Sequence, residues 1–423
     1  DKTTKNLFAA RDVYEAIKDM KTVGIIAKDE GKQVWEVAQP VGIIAGIVPS
    51  TNPTSTIIFK SLIALKARNA IVFSPHPTAA RCCQETADIM RQAAEQAGAP
   101  PGLIHCINKP TLAATNELMR HKLTDLILAT GGTPMVKAAY SSGKPAYGVG
   151  PGNVPVYIHP SANIPAAVRR IIQSKTFDNG TICASEQALV VDASIKRQVK
   201  SELISQGAYF LDDHEKQRVA AIILINGSLN AGLVGRSPEA IAELAGISIP
   251  QGTRVLIAEE ELVGKAYPFS VEKLSPILAF YTVADWQEGC QRCMELLDLG
   301  GLGHTLGLHC EELSVIEAFA LQKPASRIVV NSGTTFGGIG ATTGIQPSMT
   351  LGCGSFGNNI TTDNIGPQHL LNIKRVAFGI REMPEETTMV EEIAGRARAQ
   401  ATAGISREEV MAIIKSVLAE MKA

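Results

Sequence analysis

The sequence has no apolar run long enough to cross a bilayer: its longest, such as 41–48, falls well short of the roughly 20 residues a spanning helix needs. It has no charge excess either, with a formal net charge of −1, so it offers no basic field to draw nucleic acid or an anionic membrane. Paired cysteine spacing is missing. The eight cysteines (82, 83, 106, 183, 290, 293, 310 and 353) are scattered, which reads as a reducing cytosol rather than a disulfide framework. Cys290-x-x-Cys293 is a lone pair in a helical stretch, 286–297, without a second pair or nearby histidines. Helix packing accounts for it, and no metal is expected. The polar start, Asp1-Lys2-Thr3-Thr4-Lys5, lacks the pattern of a signal peptide. Without an initiating methionine the chain reads as a fragment or trimmed form of something longer, and the expected location is cytoplasmic.

What the chain does have is length and rhythm. Its 423 residues allow two or three domains with a large core. A composition of 45% hydrophobic and 19% charged, with 37 glycines, is that of an α/β enzyme. Residues 8–20 read as a helix, followed by a polar turn. From 32 onward a strand leads into the buried strand 41–48. Helix 55–67, strand 70–74, helix 79–97, strand 102–107, helix 111–119, strand 126–129 and helix 135–142 follow. This alternation predicts a doubly wound parallel sheet with ligands at the carboxyl ends of its strands. Gly148-Val149-Gly150-Pro151-Gly152-Asn153 reads as a hinge into a second α/β domain, and 337–344 as a flexible, backbone-exposing loop. Residues 381–404, rich in Glu, Ala and Gly, read as a linker. Ser406-Arg407-Glu408-Glu409 then fits a capping box opening a helix whose Val410, Ile413, Ile414, Val417, Leu418 and Met421 share one face. Docking on its own domain and capture by a partner or shell protein both suit such a tail.

The chemistry centres on Phe177-Asp178-Asn179-Gly180-Thr181-Ile182-Cys183. A polar glycine turn precedes the thiol and an apolar β-branched run, 188–191, follows it, placing Cys183 on a loop entering a buried strand. A thiolate held there is a good nucleophile toward a carbonyl carbon, although a free cysteine is often only a small buried hydrophobe. Thr130-Gly131-Gly132 ends a strand and opens a helix, so its N–H groups could receive a pyrophosphate; an ordinary glycine turn reads the same way. Pro75-His76-Pro77 fixes a turn on which an adenosine ribose could lie, or simply a proline turn.

Together these stretches resemble the acylating, CoA-dependent aldehyde dehydrogenases, especially the aldehyde dehydrogenase half of the bifunctional aldehyde–alcohol dehydrogenases. The likeness is carried by Pro49-Ser50-Thr51-Asn52-Pro53-Thr54-Ser55, Phe73-Ser74-Pro75-His76-Pro77, Ala129-Thr130-Gly131-Gly132, the run from Ser174 to Glu186, Glu272-Lys273-Leu274-Ser275-Pro276, Gly303-His304-Thr305 and Thr350-Leu351-Gly352-Cys353-Gly354, in order over roughly 20–377. The resemblance implies two doubly wound α/β domains with a small oligomerisation arm: an NAD-binding domain at 1–150 with an oligomerisation strand near 32–41, a catalytic domain at 151–345, and a return and oligomerisation segment at 346–380. The linker 381–404 and tail helix 405–423 follow. It makes Cys183 the nucleophile, Asn52 the side-chain donor to the oxyanion, and Glu272 the holder of the nicotinamide ribose. Ser50, Thr51, His76, Pro77, Gly131, Gly132 and Gly150 become the nucleotide contacts. His304 is placed to assist thiol deprotonation with a pKa near neutrality, or to serve as a structural histidine.

Two departures matter. Where hydrolytic relatives carry a glutamate that activates water, ahead of a Gly-Gly pair, this chain is read as having Gly148, so a thioester should wait for a thiol such as that of CoA. No alcohol dehydrogenase half follows; the tail resembles the encapsulation peptides of bacterial microcompartments. The implied reaction joins aldehyde, CoA and NAD to give acyl-CoA and NADH, with acetaldehyde as the leading substrate. Propionaldehyde and sulfoacetaldehyde are alternatives, as is a scaffold protein that keeps the fold for assembly. A homo-oligomer is expected.

Overall fold

The computed structural model describes residues 1–383, residue 394 and residues 406–420. Most of the expected linker 381–404, the side chains of Val417 and Leu418, and Met421 lie outside the described residues. The chain divides into two compact units, one of residues 1–26 and 38–374, the other of residues 27–37 and 375–423.

The strands are β1 (Gly24–Asp29), β2 (Val34–Pro40), β3 (Ile43–Val48), β4 (Ala70–Pro75), β5 (Ile104–Cys106), β6 (Leu126–Thr130), β7 (Ala146–Val149), β8 (Val154–Ile158), β9 (Glu186–Asp192), β10 (Ala208–Phe210), the hairpin β11 (Leu224–Ile225) and β12 (Ser228–Leu229), β13 (Val255–Glu259), β14 (Ile277–Val283), β15 (Gly303–His309), β16 (Ala325–Val330) and β17 (Leu371–Ala377). β3 is apolar at every position because both its faces are covered. It lies at the centre of a five-stranded parallel sheet of order β5-β4-β3-β6-β7. The chain builds outward on one side through β4 and β5, then returns to the other side as β6 and β7. The carboxyl ends of β3, β4 and β6 therefore open a crevice where the strand order reverses.

The second sheet has seven parallel strands in the order β10-β13-β14-β9-β8-β15-β16. All seven residues of β9 and all seven of β15 are buried, so these two strands form fixed rails behind the loops at their ends.

Lys60 interrupts the apolar run of the helix Pro53–Lys66 and is wholly buried. Its ammonium donates to the carbonyl oxygens of Ile47 and Leu128, each at 2.7 Å, fastening the helix beneath β3 and β6. Burial lowers its pKa to about 7.

β1, β2 and β17 form a separate three-stranded sheet, exposed along much of its length. Trp35 meets Phe378 edge to face at 5.1 Å, and the Lys28 ammonium lies 4.3 Å from the Trp35 ring centre. The segment before β2, expected from the sequence as a polar turn, is the strand β1. The expectation of a backbone-exposing loop at 337–344 is also corrected in part: Gly337 and Gly338 close the short buried helix Thr334–Gly338. A side chain at Gly338 would meet Ala184 at 3.1 Å, so the glycine allows close packing behind the loop that carries Cys183. The tail helix Arg407–Glu420 opens with the expected capping box: Ser406 Oγ accepts from the Glu409 N–H at 3.2 Å, and Glu409 Oε2 from the Ser406 N–H at 2.8 Å.

Candidate active site

The helix Ile164–Thr176 is halted by three residues in the left-handed region, Asp178 (φ 49°), Asn179 (φ 51°) and Gly180 (φ 71°). Asp and Asn tolerate that conformation better than most residues. At Gly180 glycine is required, since a Cβ would stand 3.1 Å from the Ser275 carbonyl and 3.2 Å from that of Lys175. The reversal presents Cys183 immediately before β9. Asp178 fixes the turn from outside, its carboxylate accepting from Lys2 at 2.8 Å, from Thr181 Oγ1 at 2.7 Å and from Lys5.

Lys5 also donates to Asn52 Oδ1 at 2.6 Å. Asn52 occupies the N-cap of the helix Pro53–Lys66 yet makes no capping bond. With Oδ1 held by an ammonium, its Nδ2 is left for Thr51 Oγ1 at 3.2 Å and for the cavity. Lys5 is buried and its pKa falls to about 8, because desolvation outweighs the nearby Asp178.

A cavity of about 520 Å³ opens over these residues. Ser50, Thr51 and Asn52 reach it from the end of β3, and His76 and Pro77 from the end of β4. Gly131 and Gly132 line it between β6 and the helix Thr133–Tyr140, and Gly150 lies beyond β7. Cys183 and Glu272 form the facing wall. His304 alone among the expected site residues does not line it. It sits wholly buried behind the sulfur, with Nε2 3.2 Å from Cys183 Sγ. Burial, and then the Arg327 guanidinium, hold the imidazole well below its usual pKa, so it is neutral and the expected near-neutral value is corrected. Burial also pushes the Cys183 thiol up to about 12; Glu272 and Cys353 add to the rise and Arg327 opposes it.

Glu272 Oε1 accepts the Gly152 N–H at 2.9 Å, and burial raises its carboxyl to about 8. The role read for Gly148 is corrected too. A side chain there would meet Tyr140 and Val136 at 2.9 Å, directed into the helix Thr133–Tyr140 and away from the cavity. The wall segment Val149-Gly150-Pro151 bears no carboxylate, and Glu272 is the acidic residue lining the cavity.

A cysteine thiol lines a cavity where the strand order of the five-stranded sheet reverses. The aldehyde dehydrogenase family model matches residues 5–218. The chain belongs to the aldehyde dehydrogenase family. The bifunctional aldehyde-alcohol dehydrogenase AdhE of Escherichia coli is 48% identical over 382 residues, covering 89% of this chain and 43% of that protein. The chain thus spans less than half the length of this relative. The succinate-semialdehyde dehydrogenase (acetylating) of Clostridium kluyveri is 35% identical, over 90% of this chain and 84% of its own, which sets the chain in the acylating branch of the family. The crystal structure of an acetylating aldehyde dehydrogenase from Geobacillus thermoglucosidasius superposes with a TM-score of 0.90 at 70% identity, over 91% of this chain and 85% of that one.

Several residues of this family site were missed in the sequence. Lys5 acts from 47 residues before Asn52, with no local pattern to mark it. Arg327 carried a signal: a cation inside the apolar strand Ala325–Val330 needs partners, and it has them at His304, Thr305 and Gly352. Thr111, Met135 and Val234 line the cavity without a motif of their own.

Proposed function

We propose that this chain catalyses the reversible conversion of an aldehyde, CoA and NAD to acyl-CoA and NADH, with acetaldehyde as the preferred substrate. The observation that carries the reading is the Cys183 sulfur lining the same cavity as the Asn52 amide, with His304 behind the sulfur. The similarity to proteins named as acetylating aldehyde dehydrogenases supports it.

The cavity suits a dinucleotide. Gly132 caps the helix Thr133–Tyr140 without a side chain, leaving the Thr133 N–H at the helix start for a pyrophosphate oxygen, and nothing stands within 4 Å of a Cβ placed at Gly150. Ser50, Thr51, His76, Pro77, Gly131, Gly132 and Gly150 would hold the nucleotide, and Glu272 the ribose beside the reacting carbon. When bound, the nicotinamide supplies a hydride acceptor.

Cys183, its thiol proton passed to water in the cavity, adds as a thiolate to the aldehyde carbon and converts the carbonyl oxygen to an alkoxide. The Asn52 amide and the Cys183 N–H stabilise that charge. Loss of hydride leaves an acyl thioester on Cys183. Without a carboxylate in the 149–151 wall to activate water, the thioester persists until the CoA thiol attacks, which returns Cys183 and releases acyl-CoA. The five-stranded layer is the proposed nucleotide-binding part and the seven-stranded layer the catalytic part. The exposed sheet of β1, β2 and β17 is the proposed surface for a homo-oligomer. The exposed Val410, Ile413 and Ile414 of the tail helix suit capture by a microcompartment shell protein.

The test follows NADH formation from acetaldehyde with and without CoA, beside Cys183→Ala. Turnover that requires both CoA and Cys183 supports the proposal, and a series with propionaldehyde and sulfoacetaldehyde ranks the substrates. Turnover without CoA overturns the argument from the missing carboxylate.

A further inference from the structure

Arg327 is buried in β16 and every N–H of its guanidinium has an acceptor. Nη2 donates to the carbonyls of His304 at 2.8 Å and Gly352 at 2.7 Å. Nη1 donates to the Thr362 carbonyl at 3.2 Å and to Asn364 Oδ1 at 3.3 Å. The remaining donor, Nε, points at Thr305 Oγ1 at 3.2 Å. A guanidinium can only donate, so the Thr305 hydroxyl accepts there and keeps one hydrogen to give. Its other neighbour is His304 Nδ1 at 2.9 Å.

Two proton arrangements are available. If Nδ1 carried the hydrogen, Thr305 would accept from both neighbours and its own O–H, in a fully buried position, would have no acceptor among the described residues. Leaving such a group unmade costs about 1–3 kcal/mol. If Thr305 donates to Nδ1, the imidazole hydrogen sits on Nε2, 3.2 Å from the Cys183 sulfur. The only group then left without an acceptor is an S–H, a weak donor. The second arrangement wins.

We infer that Thr305, oriented by Arg327, is a positioning residue that fixes His304 as the Nε2–H tautomer, making the histidine a hydrogen-bond donor to Cys183 Sγ rather than an acceptor of a thiol proton. The inference rests on the proposed function for its catalytic meaning. A donor at Nε2 favours the sulfur whenever it bears negative charge, both as attacking thiolate and as the group expelled when the CoA thiol breaks the thioester. The neutrality imposed by burial and by Arg327 leaves the ring one hydrogen, and Thr305 decides which nitrogen holds it. The groups that act on this centre are Arg327 from β16, Cys183 from the nucleophile loop, and Cys353 and Glu272, which bear on the sulfur.

The test is nitrogen NMR on protein with ring-15N histidine, the His304 signals being assigned by their loss in His304→Ala. Wild type and Thr305→Ser should show a pyrrole-type Nε2 and an acceptor-type Nδ1. Thr305→Val, which keeps the shape and removes the hydroxyl, should show a new Nδ1–H population and a kcat lowered by about tenfold or more. A wild-type spectrum with the hydrogen on Nδ1 overturns the inference, as does an unchanged Nε2–H signature in Thr305→Val. If the valine variant does not fold, the wild-type spectrum still decides the tautomer. Turnover is read separately, so absence of activity with aldehyde and CoA would remove the proposed function and leave the tautomer result standing.

Discussion

Gly152 gives the strictest geometric prediction. A Cβ built there lies 2.3 Å from the Cys183 carbonyl oxygen and 3.1 Å from Cγ and Nδ1 of the His304 ring. Real Cβ contacts essentially never fall below 3.0 Å, so Gly152→Ala displaces the nucleophile loop or the Gly152 backbone by at least about 0.7 Å, the difference between 3.0 and 2.3 Å. The obstacle is backbone oxygen, which cannot swing aside as a flexible side chain would. A misplacement of about 1 Å at a reacting centre costs roughly a hundredfold in rate, and overpacking costs about 1–3 kcal/mol of stability. The expected result is a kcat for CoA-dependent NADH formation reduced on the order of a hundredfold in a protein that still folds. Gly150→Ala is the matched control, because its Cβ meets nothing within 4 Å and should weaken nucleotide binding before it touches kcat. Stopped-flow and steady-state NADH traces for the two variants make the comparison. Full kcat in Gly152→Ala would refute the packing argument and the placement of Cys183 with it.

Asn52→Ala should lower kcat by about 10²–10³ through loss of an oxyanion donor. Lys5→Met should lower the same parameter by a smaller factor, with the double variant no worse than Asn52→Ala alone; additive losses would separate Lys5 from Asn52. Glu272 carries a pH signature. Its carboxyl moves from the ordinary 4.5 up to about 8, so in that window the folded chain holds a proton that the unfolded chain has released, and stability falls as pH rises through it. Urea midpoints at pH 5 and pH 9 should therefore diverge in wild type more than in Glu272→Gln; parallel shifts would contradict the burial of this group. The thiol, held up to about 12, should react slowly with iodoacetamide near neutral pH when no ligand is bound, and rapid labelling of Cys183 would count against that protonation state.

The alternation of strands and helices was legible because β3, β4, β6 and β9 carry apolar runs, largely covered on both faces, a pattern visible in sequence, whereas β8, directly after the glycine-rich hinge, was missed. The nucleophile loop was legible through Asp178-Asn179-Gly180, whose residues suit the left-handed turn the backbone makes. Three things were hidden because they depend on what lies opposite in space. Lys5 gains its meaning only when its helix meets Asn52 and Asp178. Gly148 seemed to mark an absent glutamate, but the direction of its Cβ, toward Tyr140, is set by the register of β7. His304 promised a titration near neutrality, and complete burial beside a cation removes it.

The residues that make Cys183 useful are spread from Lys5 to Arg327, more than 300 positions of the sequence. No short stretch of the chain holds the thiol, the proposed oxyanion donor and the histidine together. A polypeptide emerging from the ribosome carries the cysteine for a long interval before β15 and β16 bring His304 and Arg327 behind it. The proposed reactivity toward aldehydes would then be assembled only as folding completes. Partly made or partly unfolded chains would carry an ordinary thiol without the Asn52 amide and the His304 ring beside it.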